Sequence, residues 1–198
     1  MKTTEPAVSL RARQMATTRA SILDTAMGML REGADQGFSH EAIAAEAGMS
    51  ARTVYRHFPD RASLLQGLWE RLREETQTRF PRSDEEIPGL IRTAFQQFDR
   101  DEPFMRTLLN SEAGSAVRER GGAEGRPAFG QSLAPLLTRK STKERARIAA
   151  VFVALYSAPF WNLLRERGGL SGPEAQEAAV WTMETLLAAL RSEGKKGK

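Results

Sequence analysis

Between Ser50 and Arg61 the chain reads Ser-Ala-Arg-Thr-Val-Tyr-Arg-His-Phe-Pro-Asp-Arg. Arg52, Thr53, Tyr55, Arg56, His57 and Arg61 all carry donors able to reach phosphate oxygens or base edges. Val54 and Phe58, four apart, share one helical face and supply an apolar anchor. Ser50 is a good N-cap, Pro59 cannot continue the helix, and Asp60 can cap the next one. The chemistry implied is hydrogen bonding to a polyanion. A short helix with donors outward and two anchors inward suits that task.

Composition narrows the alternatives. The chain has 198 residues, no cysteine and two histidines, His40 and His57. Disulfides, thiolate metal sites and a cysteine nucleophile are therefore excluded, and a histidine-based zinc site is not expected. Neither metal nor cofactor is called for. Paired acids such as Glu85-Glu86 and Asp101-Glu102 fall at helix starts, where they favour the macrodipole rather than general acid chemistry. The sequence points away from an enzyme. The net charge of +4 sits largely in a Lys-rich tail, so local clusters matter more: Arg11, Arg13 and Arg19 before the first helix, then Arg52, Arg56 and Arg61. There is no apolar stretch behind Lys2 to make a secretory signal. The longest run without a charge, between Arg147 and Arg165, contains Ser157, Pro159 and Asn162 and is too short to span a membrane. A cytoplasmic protein without membrane contact is expected.

The elements that must hold the donor helix follow from periodicity and punctuation. Residues 1–16 lack periodicity and read as a flexible basic arm. From about Thr17, Ile22, Leu23, Ala26, Met29 and Leu30 lie on one face of a first helix that Gly33 ends. Gly37-Phe38 forms a loop, Ser39 caps a second helix from His40 to Ala47, and Gly48 ends it. Two short helices joined by Gly-Met-Ser fit a helix-turn-helix, with Gly48 supplying the positive φ of the turn.

The run Gly37-Phe38-Ser39, Ile43-Ala44, Ala47-Gly48-Met49-Ser50, Thr53-Val54-Tyr55-Arg56-His57-Phe58 and Asp60-Arg61-Ala62-Ser63-Leu64-Leu65 resembles the DNA-binding domain of the tetracycline-repressor (TetR) family. The resemblance covers residues 17–66. It implies an all-α, dimeric transcription regulator, usually a repressor, with a three-helix head that binds DNA and a larger helical body that binds a small molecule. By that resemblance Ala51, Arg52 and Thr53 face the major groove, Tyr55 and His57 lie near backbone or bases, and Arg61 sits on a phosphate. Arg56 adds a further contact, and Ser39 and Ser50 stand at the helix starts beside the DNA. His40, where an apolar residue or threonine is common, either contacts DNA from the start of the second helix or is a plain surface histidine. Arg52 either reads a base or touches a phosphate.

About nine helices are expected in all. The fourth runs from Asp60 to about Phe80, the fifth from Ile87-Pro88, and the sixth from Asp101-Glu102-Pro103. Gly121 to Gly125 reads as a flexible break, followed by a seventh helix from Pro127 to Thr138 distorted by Pro135. Ser141-x-x-Glu144 and Ser171-x-x-Glu174 have capping-box spacing and open the last two helices. From Ile148 to Trp161 the eighth is apolar nearly all round, so it must be covered on several sides. The resemblance makes these two helices the dimer contact. Candidate pocket residues between the fifth and eighth helices are Phe95, Phe98, Phe104, Met105, Leu108, Phe129, Leu133, Phe152, Tyr156, Phe160, Trp161 and Asn162. Tyr156 and Asn162 stand out, because polar atoms among apolar ones need partners. Pro159 offers a kink nearby.

The organisation expected is therefore an arm over 1–16, a DNA-binding head over 17–66, an effector-binding and dimerisation body over 67–192 and a tail over 193–198. The function expected is a homodimeric repressor of a pseudo-palindromic double-stranded operator, released by a small apolar or aromatic effector. The alternative is an interaction module, or an activator, without small-molecule induction.

Overall fold

The computed structural model describes residues 9–33 and 38–195. Residues 1–8 of the expected arm, Gly37 of the expected loop and the end of the tail lie outside the described residues. Ten α-helices follow one another: α1 Leu10–Arg31, α2 His40–Glu46, α3 Ala51–His57, α4 Arg61–Glu75, α5 Ile87–Arg100, α6 Glu102–Asn110, α7 Glu112–Leu133, α8 Thr142–Leu155, α9 Ala158–Glu166 and α10 Gly172–Lys195. No strand occurs among the described residues. The all-α expectation holds.

The head forms because its caps and anchors agree. Ser39 Oγ accepts from Ala42 N at 3.1 Å and Ser50 Oγ from Thr53 N at 3.2 Å, satisfying N–H groups that a helix start leaves unpaired. Gly48, at φ 62°, turns the chain between α2 and α3. Val54 and Phe58 are 0% and 1% exposed and pack with Ile22, Ala26 and Ile43 in one core. Asp60 and Ser63 make a reciprocal capping box that starts α4.

Four elements differ from the sequence reading. Helix α1 begins at Leu10, capped by Ser9, so Arg11 and Arg13 ride on its first turns instead of a flexible arm. Helix α4 stops at Glu75, not near Phe80: Thr76 Oγ1 donates to the Leu72 carbonyl at 2.8 Å, and Gln77 takes a positive φ of 50°. The stretch from Gly121 to Gly125 is helical within α7. Two of its three glycines are there for closeness: a Cβ on Gly121 would come within 2.6 Å of the Trp69 ring, and one on Gly125 within 3.0 Å of Phe80. Packing against α4 thus keeps helical a segment whose composition argues for a break. Finally, the long apolar eighth helix is two, bent by 57°. Tyr156 leaves helical geometry, and Ser157 is extended and caps α9 by accepting from Phe160 N at 3.3 Å. The tail also departs from expectation, since α10 continues to Lys195.

Within the body, α10 lies along α5, α7 pairs with α8, and α4 crosses α7. Head and body share α1, whose far end packs on α6. There Arg31 stacks over Phe104 with 4.0 Å between guanidinium carbon and ring centre, and pairs with Glu75 at 2.7 Å and with Asp101. Among the described residues no single helix is long and apolar enough to cross a membrane.

Candidate nucleic-acid interface and effector cavity

Burying Val54 and Phe58 fixes which way α3 faces. Arg52, Tyr55 and Arg56 are exposed on it, while Ala51 and Thr53 are partly covered at its start. Thr53 Oγ1 lies 2.9 Å from Ser50 Oγ, so the two serine positions at helix starts serve first as caps. Arg61 is exposed, and its Nη1 donates to the Phe38 carbonyl at 3.3 Å, holding the guanidinium across the start of α4.

His40 is not the plain surface histidine that one reading made it. It is 7% exposed, its Nε2–H donates to the Phe58 carbonyl at 2.9 Å, and its ring stacks on Tyr55 with centroids 4.4 Å apart and planes 2° from parallel. A carbonyl can only accept, so the proton is on Nε2. His40 is a joint between α2 and the end of α3 rather than a surface residue. Tyr55 completes the joint: its hydroxyl donates to Glu41 Oε1 at 2.9 Å. That bond helps to lower the Glu41 pKa and raises that of Tyr55.

His57 is half-buried, and its Nε2 has no partner among the described residues. Burial first, then the cations Arg56 and Arg19, hold its pKa below the ordinary histidine value, so it is neutral at pH 7. Arg19 sits over the Phe58 ring at 4.4 Å and 3.9 Å from Glu70, which binds α1 to the head core and takes it out of the basic cluster expected to face DNA. Arg11, Arg13, Gln14, Thr17 and Thr18 instead line an open groove with Arg56 and His57. The sequence could have revealed this groove: Arg13 and Thr17, and Gln14 and Thr18, lie four apart, at the spacing of one helical face. Arg52, Tyr55 and Arg56 together with this groove form one donor-bearing surface at the head.

The body contains a cavity of about 190 Å³ between α4, α6, α7 and the bend between α8 and α9. Of the expected pocket residues Phe98, Met105, Leu108 and Tyr156 line it. Phe95, Phe104, Phe129, Leu133, Phe152, Phe160, Trp161 and Asn162 do not. Phe95, Phe129, Leu133, Phe152 and Trp161 are buried core, with Phe129 against Phe152 at 6.3 Å, and Phe160 packs on Phe95. Phe104 lies under Arg31, Trp161 Nε1–H donates to Asp99 at 2.9 Å, and Asn162 accepts from Arg106 at 3.2 Å. The two polar residues that stood out therefore separate. Tyr156 faces the cavity, its hydroxyl donating to the Arg79 carbonyl at 2.8 Å and its pKa pushed up to about 12 by burial, whereas Asn162 is already paired.

Residues from α4 and the segment after it, Trp69, Leu72, Thr76, Thr78 and Phe80, complete the cavity with Arg118 and Gly121 of α7. The sequence reading missed them because it ran α4 straight through to Phe80. Ending α4 at Glu75 folds Phe80 back against Trp69 and Tyr156, with ring centres 6.4 and 6.3 Å away.

Residues 22–68 match the family model described as bacterial regulatory proteins, tetR family. The chain is 29% identical over 168 residues to the nucleoid occlusion factor SlmA of Alteromonas mediterranea, covering 83% of this chain and 76% of that protein. It is 31% identical over 108 residues to the SlmA of a Marinomonas species, covering 52% of this chain and 55% of that one. In fold it is similar to native NalD, the secondary repressor of the MexAB-OprM multidrug efflux pump in Pseudomonas aeruginosa. The TM-score is 0.57 at 20% identity, over 87% of this chain and 96% of the other.

Proposed function

We propose that this chain, whose residues 22–68 match the model of the tetR family of bacterial regulatory proteins, is a homodimeric repressor released from a pseudo-palindromic operator by a small molecule. One observation carries the reading. The helix that bears Arg52, Tyr55 and Arg56 continues, through the α4 start at Asp60, into a helix whose far half forms a wall of the cavity. A ligand there touches the same rigid element that holds the recognition helix.

In this reading α3 enters the major groove and Arg52 reads a base edge. Arg11, Arg13, Arg56 and Arg61 take phosphates, which set register without carrying sequence information. Two copies pair through α8 and α10, which touch one another and expose Val151 at 49% and Trp181 at 68%. Large exposed apolar side chains on adjacent helices are what a partner subunit covers. An effector that favours a head spacing mismatched to successive major grooves lowers operator affinity without touching DNA.

Selection of binding sites from random duplex DNA tests the proposal. Enrichment of a two-fold site is expected, and Arg52→Ala relaxes preference at one base pair per half-site by about 1–3 kcal/mol. Sedimentation of Trp181→Glu tests the dimer face, with a shift to monomer as the expected result. Recovery of only non-palindromic or random sequences at low salt would sink the operator reading.

A further inference from the structure

The cavity is apolar in most of its lining, yet two of its lining residues, Trp69 and Arg118, carry donors that no carboxylate among the described residues meets. Its hydroxyls are committed: Tyr156 donates to the Arg79 carbonyl, Ser157 to that of Ala154 at 2.5 Å, Thr76 to that of Leu72, and Thr78 Oγ1 lies 2.7 Å from Thr76 Oγ1. Trp69 is different. It is 7% exposed, and its indole N–H has no hydrogen-bond partner among the described residues. Buried donors are nearly always paired, so this one calls for an acceptor.

Arg118 is the second donor. Its guanidinium reaches the carbonyls of Leu108 and Leu109 at the end of α6. Among the described residues no carboxylate forms an ion pair with it. Three other partly buried arginines of the body do hold one: Arg73 has Glu124, Arg106 has Glu102 and Glu166, and Arg165 has Glu102. Two helix-end carbonyls leave donors of the five on a guanidinium unused. Burial also pulls the Arg118 pKa below its usual value, against a smaller opposing effect of the adjacent Glu119.

The two residues are neighbours. Arg118 and Gly121 are three apart on α7 and therefore share a face, and Gly121 lies against the Trp69 ring. We propose that the cavity takes a small amphipathic carboxylate, its apolar part among Phe80, Phe98 and Met105 and its anionic group received by Arg118 and the Trp69 N–H. This rests on the effector reading of the cavity and gives that effector a chemical class: not a wholly apolar compound but a weak organic acid. Size agrees, since a cavity of roughly 150 Å³ accepts benzene and this one measures about 190 Å³.

The test is calorimetric titration of the full chain with phenylacetate, 3-phenylpropionate and 4-phenylbutyrate, each against the alcohol of equal length, alongside operator binding with each compound. The acids are expected to bind on the order of tenfold more tightly than the alcohols, because hydrogen bonds to a charged acceptor are the stronger kind. Arg118→Gln should erase that preference while alcohol binding persists. Arg118→Lys should restore part of it, and Trp69→Phe should weaken the acids several-fold. Circular dichroism checks that each variant is folded. If Arg118→Gln unfolds, Arg118→Lys and Trp69→Phe decide, and an unchanged acid-to-alcohol ratio in both overturns the inference. Alcohols that bind as tightly as acids and still release the operator overturn the anion preference but leave the effector reading standing. If no compound of either series binds or alters DNA affinity, the effector reading of the cavity falls and takes the inference with it.

Discussion

Replacing His40 by alanine separates a structural joint from a DNA contact. The ring is 7% exposed and makes two interactions that alanine cannot make. Losing its hydrogen bond leaves the Phe58 carbonyl short of a donor, which costs about 1–2 kcal/mol at a buried site. Losing the stacked contact with Tyr55, at 4.4 Å, removes about 0.5–1.5 kcal/mol more. Together the change destabilises the fold by about 2–3 kcal/mol, or roughly 5–10 °C in Tm for a chain of this size. Urea and thermal unfolding of wild type and His40→Ala measure it. DNA affinity falls as well, because α3 loses its fixed orientation, but the dependence of log affinity on log salt keeps its slope, since no phosphate contact is removed. Unchanged stability combined with a shallower salt slope would refute the joint and restore His40 as a DNA ligand.

Three further outcomes follow from the same structure. Arg11→Ala and Arg13→Ala should each weaken operator and random DNA alike and reduce the salt slope by about 0.9, as removal of one phosphate contact does; gel-shift titrations over a salt series check this. Gly121→Ala places a Cβ 2.6 Å from the Trp69 ring, so urea unfolding should show a loss of about 1–3 kcal/mol from overpacking, and ligand binding in the cavity should weaken with it. Tyr156 loses its proton at about 12 in the folded chain against 10.0 ordinarily. The folded state thus holds that proton longer than the unfolded one, so its contribution is intact below pH 10 and declines as pH rises toward 12. Melting curves across that window should show a smaller alkaline loss for Tyr156→Phe; an equal loss would show that the phenol does not titrate as its burial requires.

The Ser50 to Arg61 stretch was legible in the sequence because every signal there is local. Ser50 and Asp60 cap helices that start one residue later, Gly48 needs its positive φ, and the four-residue spacing of Val54 and Phe58 dictates which side is buried. The all-α class and the capping boxes at Ser141 and Ser171 were legible for the same reason. Side-chain partners brought together from distant positions were not. Nothing in the sequence places His40 beneath the carbonyl of Phe58, eighteen residues away, or lays the Arg19 guanidinium on the Phe58 ring.

The body shows the same division more sharply. Composition argued for a break at Gly121 to Gly125 and a single helix from Ile148 to Trp161, and both were reversed by packing. Glycine costs about 1 kcal/mol in a helix interior, but at Gly121 and Gly125 its missing side chain is what lets α7 close on Trp69 and Phe80. The bend at Tyr156 and Ser157, together with the early stop of α4, opens the space into which Arg118 faces. By itself the sequence determined the helices of the head, their caps and the donor-bearing face, because those depend on neighbours a few residues apart. Only the tertiary structure decided which donors remain free and where the cavity lies, because both depend on which distant side chains come within a few ångströms.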